Sequence, residues 1–329
     1  MISRRYILKI ITALPVILFT CNALSYSQPV PGIDENIQFL VTFGKQGETS
    51  WGDDDFSQTW FFAIPKSFTG NFYIRVFDPD TGGEWDEGKG PWNTRMMYSL
   101  YGGKGVDPEV NEESRGLSPT GGYKSGTLIT SRTFGNDPQY DNSVFTFGPF
   151  NPSEGDYNER WGYIFKFICD GVSGDDGNLY RYFLSSDPNR DVPIEDAEAF
   201  TYEYTFRMWN NTESVSHIYP YIEEGVEYVL EKNFDWDDDG KIVVASEVRK
   251  GIEVPISGED NSAEYKIQVE PEEIGHSLEF RFRKKQEELV RNNNVVVSLQ
   301  NQRGDNLKFF AAPIGGVPVY NPSIKVYQK

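Results

Sequence analysis

The sequence predicts an all-β fold, with two jelly-roll-like β-sandwich domains in tandem after a signal peptide. Three observations predict this class. Apolar and polar residues alternate with a period of two, turn residues separate the alternating segments at short intervals, and long segments with the period of an amphipathic helix are missing. Strands that alternate with long helices, as in α/β proteins, are therefore not expected.

The alternation is clearest at residues 72–77, 200–207 and 278–283, where every second side chain is apolar. Successive side chains of a strand point to opposite faces, so each segment predicts one strand with one buried face. Further strands are predicted at residues 38–42, 59–64, 94–101, 127–133, 144–147, 163–169, 179–184, 227–230, 241–246, 251–256, 264–269, 295–300 and 307–311.

A polar, turn-rich stretch at residues 210–220 divides these strands into two groups. We expect a signal peptide at residues 1–25, a first sandwich domain with long loops at residues 30–215, and a second sandwich domain at residues 216–329. The second domain has the usual length of a β-sandwich, and the first is large for one.

The N-terminus has the features of an export signal. Basic residues precede an apolar run at residues 10–20, and residues 23–25 are small enough for a signal peptidase site. The run is shorter than the ~20 residues that a membrane-spanning helix needs. We expect a chain without a membrane span in the periplasm, in the medium or at the cell surface. Twin-arginine export through Arg4 and Arg5, and lipidation of Cys21, remain alternatives.

The chain is acidic, with 31 basic and 50 acidic residues and a formal net charge of −19. This charge argues against nucleic acid or an anionic membrane as a partner, and it favours cation binding or solubility. The only cysteine outside the predicted signal is Cys169, in an apolar strand-like segment. We expect a buried, inert thiol, so stability must come from the core or from metal rather than from a disulfide.

The strongest chemical signal is an acidic loop that begins at Asp235. Asp235, Asp237 and Asp239 occupy positions one, three and five, and Gly240 follows at position six. Alternating acids bring several oxygens to one hard cation, and the glycine permits the sharp turn. Position twelve is Ser246 rather than the glutamate of an EF-hand, and the flanks look like strands. We therefore expect Ca²⁺ in a β-hairpin loop; the alternative is a solvated acidic turn.

A second acidic loop resembles the first. Residues 77–80 repeat the Phe-Asp-x-Asp pattern of residues 234–237, and each pattern follows a predicted strand. The repetition suggests that the two domains are related, and Ca²⁺ is expected here as well. The candidate ligands of this loop are Asp78, Asp80, Glu84 and Asp86.

A family resemblance supports the same picture. After the second acidic loop comes Tyr98-Ser99-Leu100-Tyr101-Gly102-Gly103, and residues 177–184 have the pattern of a closing strand. Together they resemble bacterial pre-peptidase C-terminal domains and CUB-like sandwiches, over about half of the first domain. The resemblance implies an accessory, secreted β-sandwich supported by calcium, and it carries over no catalytic residue.

Catalytic motifs give little support for an enzyme. The two histidines, His217 and His276, belong to no His-Glu-x-x-His zinc motif, and the sequence has neither a Gly-x-Ser-x-Gly elbow nor a phosphate-binding glycine loop. A glycosidase with a pair of carboxylates stays open, since two suitable acids can come from anywhere in the chain.

Aromatic residues offer an alternative binding face. Trp51, Trp85 and Trp92 lie in Gly- and Asp-rich segments, where indole rings can stack on sugars or can cover the core beneath a loop. Residues 303–305 spell the Arg-Gly-Asp adhesion tripeptide, although Gly-Asp is ordinary hairpin chemistry.

These observations favour an exported, non-enzymatic binding or structural module, stabilised by calcium, that acts at the cell surface or on an extracellular polymer. The expected partner is an extracellular polysaccharide or a cell-surface protein. A carbohydrate-binding protein that uses loop tryptophans, and a glycan- or peptide-cleaving enzyme, are the alternatives.

Overall fold

The computed structural model describes residues 28–51, 56–88, 90–118, 121–236, 240–285 and 294–320. These residues form strands, turns and short 3-10 helices, which confirms the predicted all-β class. The 3-10 helices are Ile33–Glu35, Thr49–Trp51, Glu112–Arg115, Pro152–Glu154 and Pro271–Glu273. No helix within the described ranges is long and apolar enough to cross a membrane.

The strands are numbered in chain order. They are β1 (Pro29–Val30), β2 (Leu40–Phe43), β3 (Ser57–Ile64), β4 (Phe72–Phe77), β5 (Arg95–Gly102), β6 (Thr127–Phe134), β7 (Val144–Phe150), β8 (Asp156–Asn158), β9 (Gly162–Ser173), β10 (Gly177–Ser185), β11 (Glu198–Thr201), β12 (Glu203–Arg207), β13 (Ser216–Pro220), β14 (Tyr228–Phe234), β15 (Gly240–Ala245), β16 (Ile252–Val254), β17 (Ser262–Gln268), β18 (Glu279–Lys284), β19 (Asn294–Asn301) and β20 (Phe309–Phe310).

All of these strands belong to two large antiparallel sheets. The first sheet has the order β17-β14-β19-β12-β2-β10-β4-β7, with β1 added beside β10. The second has the order β16-β15-β18-β13-β20-β11-β3-β9-β5-β6, with β8 added beside β9. The inward faces of both sheets supply the apolar core, as in a β-sandwich.

The strand order repeats itself. The first half, β2 to β11, forms the order β7-β4-β10-β2 in one sheet and β6-β5-β9-β3 in the other. The second half, β12 to β20, forms β17-β14-β19-β12 and β16-β15-β18-β13. Taken in chain order, the eight paired strands of each half have jelly-roll connectivity. Strands β11 and β20 are also equivalent, because each follows the last jelly-roll strand and pairs with β3 or β13.

The two halves join edge to edge through both sheets. Strand β2 pairs with β12 at Leu40 and Phe206, and β11 pairs with β20 at Phe200 and Phe310. One cluster of buried apolar residues therefore runs through both halves without interruption. The division into domains at residues 215 and 216 stays a prediction; the strand pairing itself places the change from one half to the other between Thr201 and Glu203.

Two segments differ from the sequence prediction. Residues 200–207 were expected as one strand, but the strand breaks at Tyr202, and its two parts enter different sheets. The Thr201 hydroxyl, which donates to the Glu203 carbonyl oxygen at 2.7 Å, satisfies a backbone acceptor at this bend. Alternation cannot reveal the bend because the side chains on both sides of it remain buried.

The polar stretch at residues 210–220 was interpreted as a boundary between domains. Its second part, Ser216–Pro220, forms the strand β13, which pairs with β18 and β20 inside the second sheet. Pro220 is the last residue of this strand. A proline has no backbone N–H and cannot donate to a strand ladder, so the end of a strand is a suitable place for it.

The core is unusually aromatic. The ring of Tyr98 lies 5.7 Å from that of Tyr180 and 6.0 Å from that of Phe167. The Tyr98 hydroxyl accepts a hydrogen bond of 2.7 Å from the Asn178 side chain, so its polar end has a partner. Cys169 is fully buried in the same region, and burial raises the pKa of its thiol, as expected for an inert cysteine.

Candidate metal-binding site

The jelly-roll topology brings two loops of the first half together. Strands β4 and β7 are neighbours, with Phe77 opposite Val144. The loop that leaves β4 begins at Asp78, and the loop that enters β7 ends at Ser143. Both loops therefore lie at the same end of the first sheet, although some 60 residues separate them in the chain.

Three carboxylates meet between these loops. One oxygen each of Asp78, Asp80 and Asp141 lies within 4.8 Å of the other two. Calcium binds oxygens at 2.3–2.6 Å, so two oxygens on one ion are separated by at most about 5 Å. Asp78 and Asp80 are buried and Asp141 is half-buried. Among the described residues, this is the only group of three acids, histidines or cysteines close enough to share one ion.

Backbone hydrogen bonds hold the carboxylates in place. Asp78 has a left-handed backbone (φ 57°), and its Oδ1 accepts from the Asn142 amide at 3.0 Å. The Oδ2 of Asp80 accepts from the Asp137 amide at 3.1 Å. The other oxygen of Asp80 and Oδ1 of Asp141 are buried and have no hydrogen-bond partner among the described residues. Buried carboxylate oxygens without partners are costly unless a cation lies beside them.

The loop after β4 passes close to the Asp141 carboxylate at Gly83. The backbone of Gly83 is left-handed (φ 80°), and a Cβ atom there would lie 2.9 Å from both the carboxyl carbon and Oδ1 of Asp141. A side chain would thus push the Asp141 carboxylate out of the cluster. Both the left-handed backbone and the lack of space for a Cβ atom therefore favour glycine at this position.

The electrostatics of the cluster also favour a cation. Burial raises the pKa of Asp78 to about 6 and that of Asp80 to about 7, against an ordinary value near 3.8. Backbone hydrogen bonds oppose these shifts, and the charge of Asp141 adds to both. Ionisation of these carboxylates therefore lowers the free energy of unfolding when no cation is present.

The other acids predicted for this loop have different positions. Glu84 is exposed and lies outside the cluster. Asp86 uses both oxygens to hold the loop, since they accept from the amides of Gly82 at 2.8 Å and Leu179 at 2.7 Å. Asp141 was missed by the sequence analysis. The pairing of β4 with β7 would have been needed to find it, because only this pairing brings residue 141 beside residue 78.

The second acidic loop begins with the same backbone arrangement. Asp235 has φ 55°, and its Oδ1 accepts from the Asp260 amide at 2.6 Å, as Asp78 accepts from Asn142. The backbone hydrogen bonds are also equivalent. The Asp235 amide donates to the Asn261 carbonyl oxygen at 3.1 Å, and the Asp78 amide donates to the Ser143 carbonyl oxygen at 2.9 Å. The short sequence repeat thus coincides with equivalent positions in the two jelly rolls.

The remaining ligands predicted for the second loop, Asp237 and Asp239, lie outside the described residues. Calcium at that loop therefore stays a prediction. In this structure the carboxylate of Asp235 receives a backbone hydrogen bond at the end of β14, which is a structural role in its own right.

Two of the three predicted tryptophans pack into the protein. Trp51 is buried, and its ring meets that of Phe43 edge-on at 5.1 Å. Trp92 is half-buried, and its ring lies against the backbone of Gly88. Trp51 belongs to a buried apolar cluster with Phe39 and Phe43, so its ring offers little flat surface to a ligand.

Trp85 differs from the other two because 37% of it is exposed. Its ring lies 5.3 Å from that of Phe39, and its indole N–H donates to the side-chain oxygen of Asn142. The backbone of Asn142 also holds Asp78, so Trp85 sits directly beside the carboxylate cluster. The Arg181 guanidinium, 5.1 Å above the Phe39 ring, completes a mixed aromatic and cationic surface.

Among the described residues, neither histidine belongs to a group of three side chains close enough to hold a metal ion. His217 contacts the Glu279 carboxylate at 2.8 Å, and that carboxylate also binds Arg281. Opposite charges and hydrogen bonds lower the pKa of Glu279, although burial opposes this change. This arrangement is an ion-pair network between β13 and β18 rather than an acid–base pair in a cleft.

No protein-family model matches this sequence, and no curated protein is significantly similar to it.

The cluster predicts a pH effect on the metal-free protein. Folded Asp80 titrates at a higher pH than unfolded Asp80, so between about pH 4 and pH 7 the folded state binds more protons, and stability falls as the pH rises. In chelator at pH 8, Asp80→Asn should raise the free energy of unfolding, on the order of 1 kcal/mol. At pH 4 the variant and the parent should be nearly equal. Urea unfolding at both pH values measures this.

Asp137→Asn is the matched control, because Asp137 lies in the same loop as Asp141 but its side chain accepts from Gln139 outside the cluster. This control should show no comparable gain at pH 8. If Asp80→Asn destabilises the chelated protein at pH 8 as much as at pH 4, the cluster carries no electrostatic strain.

Proposed function

We propose that this chain is an exported, non-enzymatic binding or structural module whose first jelly roll is stabilised by Ca²⁺ at Asp78, Asp80 and Asp141. It acts at the cell surface or on an extracellular polymer. The observation that carries the proposal is the buried three-carboxylate cluster, in which two oxygens lack a hydrogen-bond partner among the described residues.

Calcium fits this cluster better than the alternatives. All three ligands are carboxylates, which suit hard cations, whereas zinc and copper sites in proteins usually contain histidine or cysteine. The ligands come from two irregular loops. Calcium accepts irregular geometry, while magnesium needs a nearly ideal octahedron. Extracellular modules often bind calcium with dissociation constants of about 10⁻⁴–10⁻³ M, which matches an exported protein.

The ion would join two loops that lie far apart in the sequence. Asp78 and Asp80 belong to the loop after β4, and Asp141 belongs to the loop before β7. An ion shared by these loops restrains both and keeps Trp85 and its neighbours in one arrangement. The proposed calcium is therefore a structural ion beneath a binding surface, and no catalytic role is assigned to it.

Calcium should raise the melting temperature of the chelated mature protein. At a free concentration of about 100 times Kd, binding stabilises the folded state by about 2.7 kcal/mol, which raises Tm by roughly 5 °C. Asp80→Asn should lose this rise, while Asp137→Asn should keep it. A differential scanning calorimeter, together with metal analysis of the protein as purified, measures both.

The variants show which of the two acidic loops binds the ion. A rise that survives Asp80→Asn but is lost in the double variant Asp235→Ala/Asp237→Ala would assign the ion to the second loop. An unchanged melting temperature of the parent in millimolar calcium would contradict a calcium-stabilised module.

Carbohydrate binding through loop tryptophans is the second candidate function, and the exposure of Trp85 favours it. The ring is supported from below by Phe39 and fixed by the hydrogen bond to Asn142. A ring fixed in this way offers a flat apolar face to a sugar with little loss of entropy.

Trp85→Ala should reduce retention of the protein on a polysaccharide panel at least tenfold, as measured by affinity electrophoresis. Tyr157→Ala is a suitable control, because Tyr157 is 50% exposed but lies on β8 in the other sheet. Equal retention of both variants and the parent would exclude Trp85 as the binding platform, and no retention of the parent would exclude this function for the polymers tested.

A further inference from the structure

A polar pocket of about 320 Å³ lies between the two halves of the molecule. The first half contributes the long loop between β5 and β6 and the turn before β9. The second half contributes the loop between β13 and β14 and the turn between β19 and β20. Its volume is within the range of small-molecule sites. The Arg-Gly-Asp tripeptide of residues 303–305 lies in the last of these turns, at the pocket wall.

The acids in the wall are largely neutralised by the protein itself. The Lys308 ammonium lies 2.7 Å from Glu109 and 2.6 Å from Glu223, and so joins the two halves. Glu109 also accepts from the Trp161 indole at 2.8 Å. Across the pocket, Asp305 pairs with Arg303 of the tripeptide at 2.9 Å. Adhesion through this tripeptide would first have to break that internal pair.

Two guanidiniums in the wall lie over aromatic rings, and Nε of Arg115 also donates to the Pro108 carbonyl oxygen at 3.3 Å. Arg115 lies 5.0 Å above the Tyr202 ring, and its nearest acid is the well-exposed Glu112 at 4.0 Å. Arg160 lies 4.4 Å above the Trp161 ring and donates to the Tyr221 hydroxyl at 3.2 Å. Within the described part of the chain, no carboxylate pairs with Arg160. Rings fix the guanidinium planes but leave much of their charge and many of their N–H groups for another partner.

The loop that carries Arg115 is rigidly built. The buried Lys166 ammonium donates to the hydroxyls of Ser114 at 2.9 Å and Ser125 at 3.0 Å, and to the carbonyl of Tyr123. Both hydroxyls donate onward to backbone carbonyls, so Lys166 supplies all three hydrogens and is charged in this arrangement. Burial nevertheless lowers the pKa of Lys166 to about 7.

The other end of the same loop is fixed by Asp156 of β8. One oxygen of its carboxylate accepts from three successive amides, those of Gly105 at 2.8 Å, Val106 at 3.1 Å and Asp107 at 3.0 Å. The pocket wall is thus formed before any ligand arrives, which lowers the entropic cost of binding.

We propose that this pocket binds a small hydroxylated carboxylate of the hexuronic acid class. Arg115 and Arg160 supply planar donors for a carboxylate, and the exposed carboxylates of Glu112 and Glu223 can accept from sugar hydroxyls. In a chain of net charge −19, a guanidinium without a carboxylate partner among the described residues, Arg160, and one whose exposed partner lies 4.0 Å away, Arg115, favour an anion in this pocket. The pocket uses none of the cluster acids, so it does not depend on the proposed calcium.

Isothermal titration of the mature protein with sodium D-glucuronate, in chelator, tests the proposal. D-Glucose and sodium phosphate serve as the neutral and the simple-anion probes. Glucuronate should bind at least tenfold more tightly than either probe. Arg160→Gln removes the positive charge and the planar pair of donors, and it should weaken glucuronate binding at least tenfold, the loss expected for a charged hydrogen bond.

Two further variants keep the result interpretable. Arg190→Gln changes an exposed arginine that pairs with Asp187 outside the pocket, and it should bind as the parent does. Arg115→Lys keeps the charge but loses the planar fork, and it should weaken binding without lowering the melting temperature. No heat with glucuronate, equal binding of phosphate, or unchanged binding in Arg160→Gln would each overturn the proposal. A failed calcium melt would leave it intact.

Discussion

The structure depends on the pairing of two like-folded halves through both sheets. Because β2 joins β12 and β11 joins β20, each sheet runs from one half into the other, and one apolar core fills the space between. The edge strands of two separate jelly rolls would expose unpaired backbone groups, and the pairing removes four such edges. It also fixes where the functional features can lie. The carboxylate cluster forms within one half, at the end of neighbouring strands, while the polar pocket forms where the halves meet.

The protein handles its charges differently at these two places. In the cluster, buried acids lie close together and backbone amides satisfy only some of their oxygens. In the pocket, Lys308 neutralises two acids, and aromatic rings rather than carboxylates support the guanidiniums. The proposed cation would bind in the first arrangement, and the proposed anion in the second. An acidic chain can carry both because each depends on local geometry rather than on net charge.

Much of the fold could be predicted from the sequence, because the alternation of apolar and polar residues is visible within each short segment. Residues 72–77 alternate cleanly, and the strand there begins and ends as predicted. The bend at Tyr202 could not be predicted, since burial continues on both sides of it. At the site, Asp78 and Asp80 were found from their spacing, but Asp141 belongs to a distant turn that only the β4–β7 pairing brings near. The pocket has no sequence signal, because its walls come from four separate loops of both halves.

The proposed hard cation would link the loop after β4 to the loop before β7. The most direct test is a crystal structure of the mature protein grown in calcium and soaked with a lanthanide, with anomalous differences measured at the lanthanide edge. A strong peak should appear among the carboxylates of Asp78, Asp80 and Asp141, and it should be lost in crystals of Asp80→Asn. Well-diffracting crystals with the two loops ordered, strong lanthanide peaks elsewhere and none among these carboxylates would contradict it.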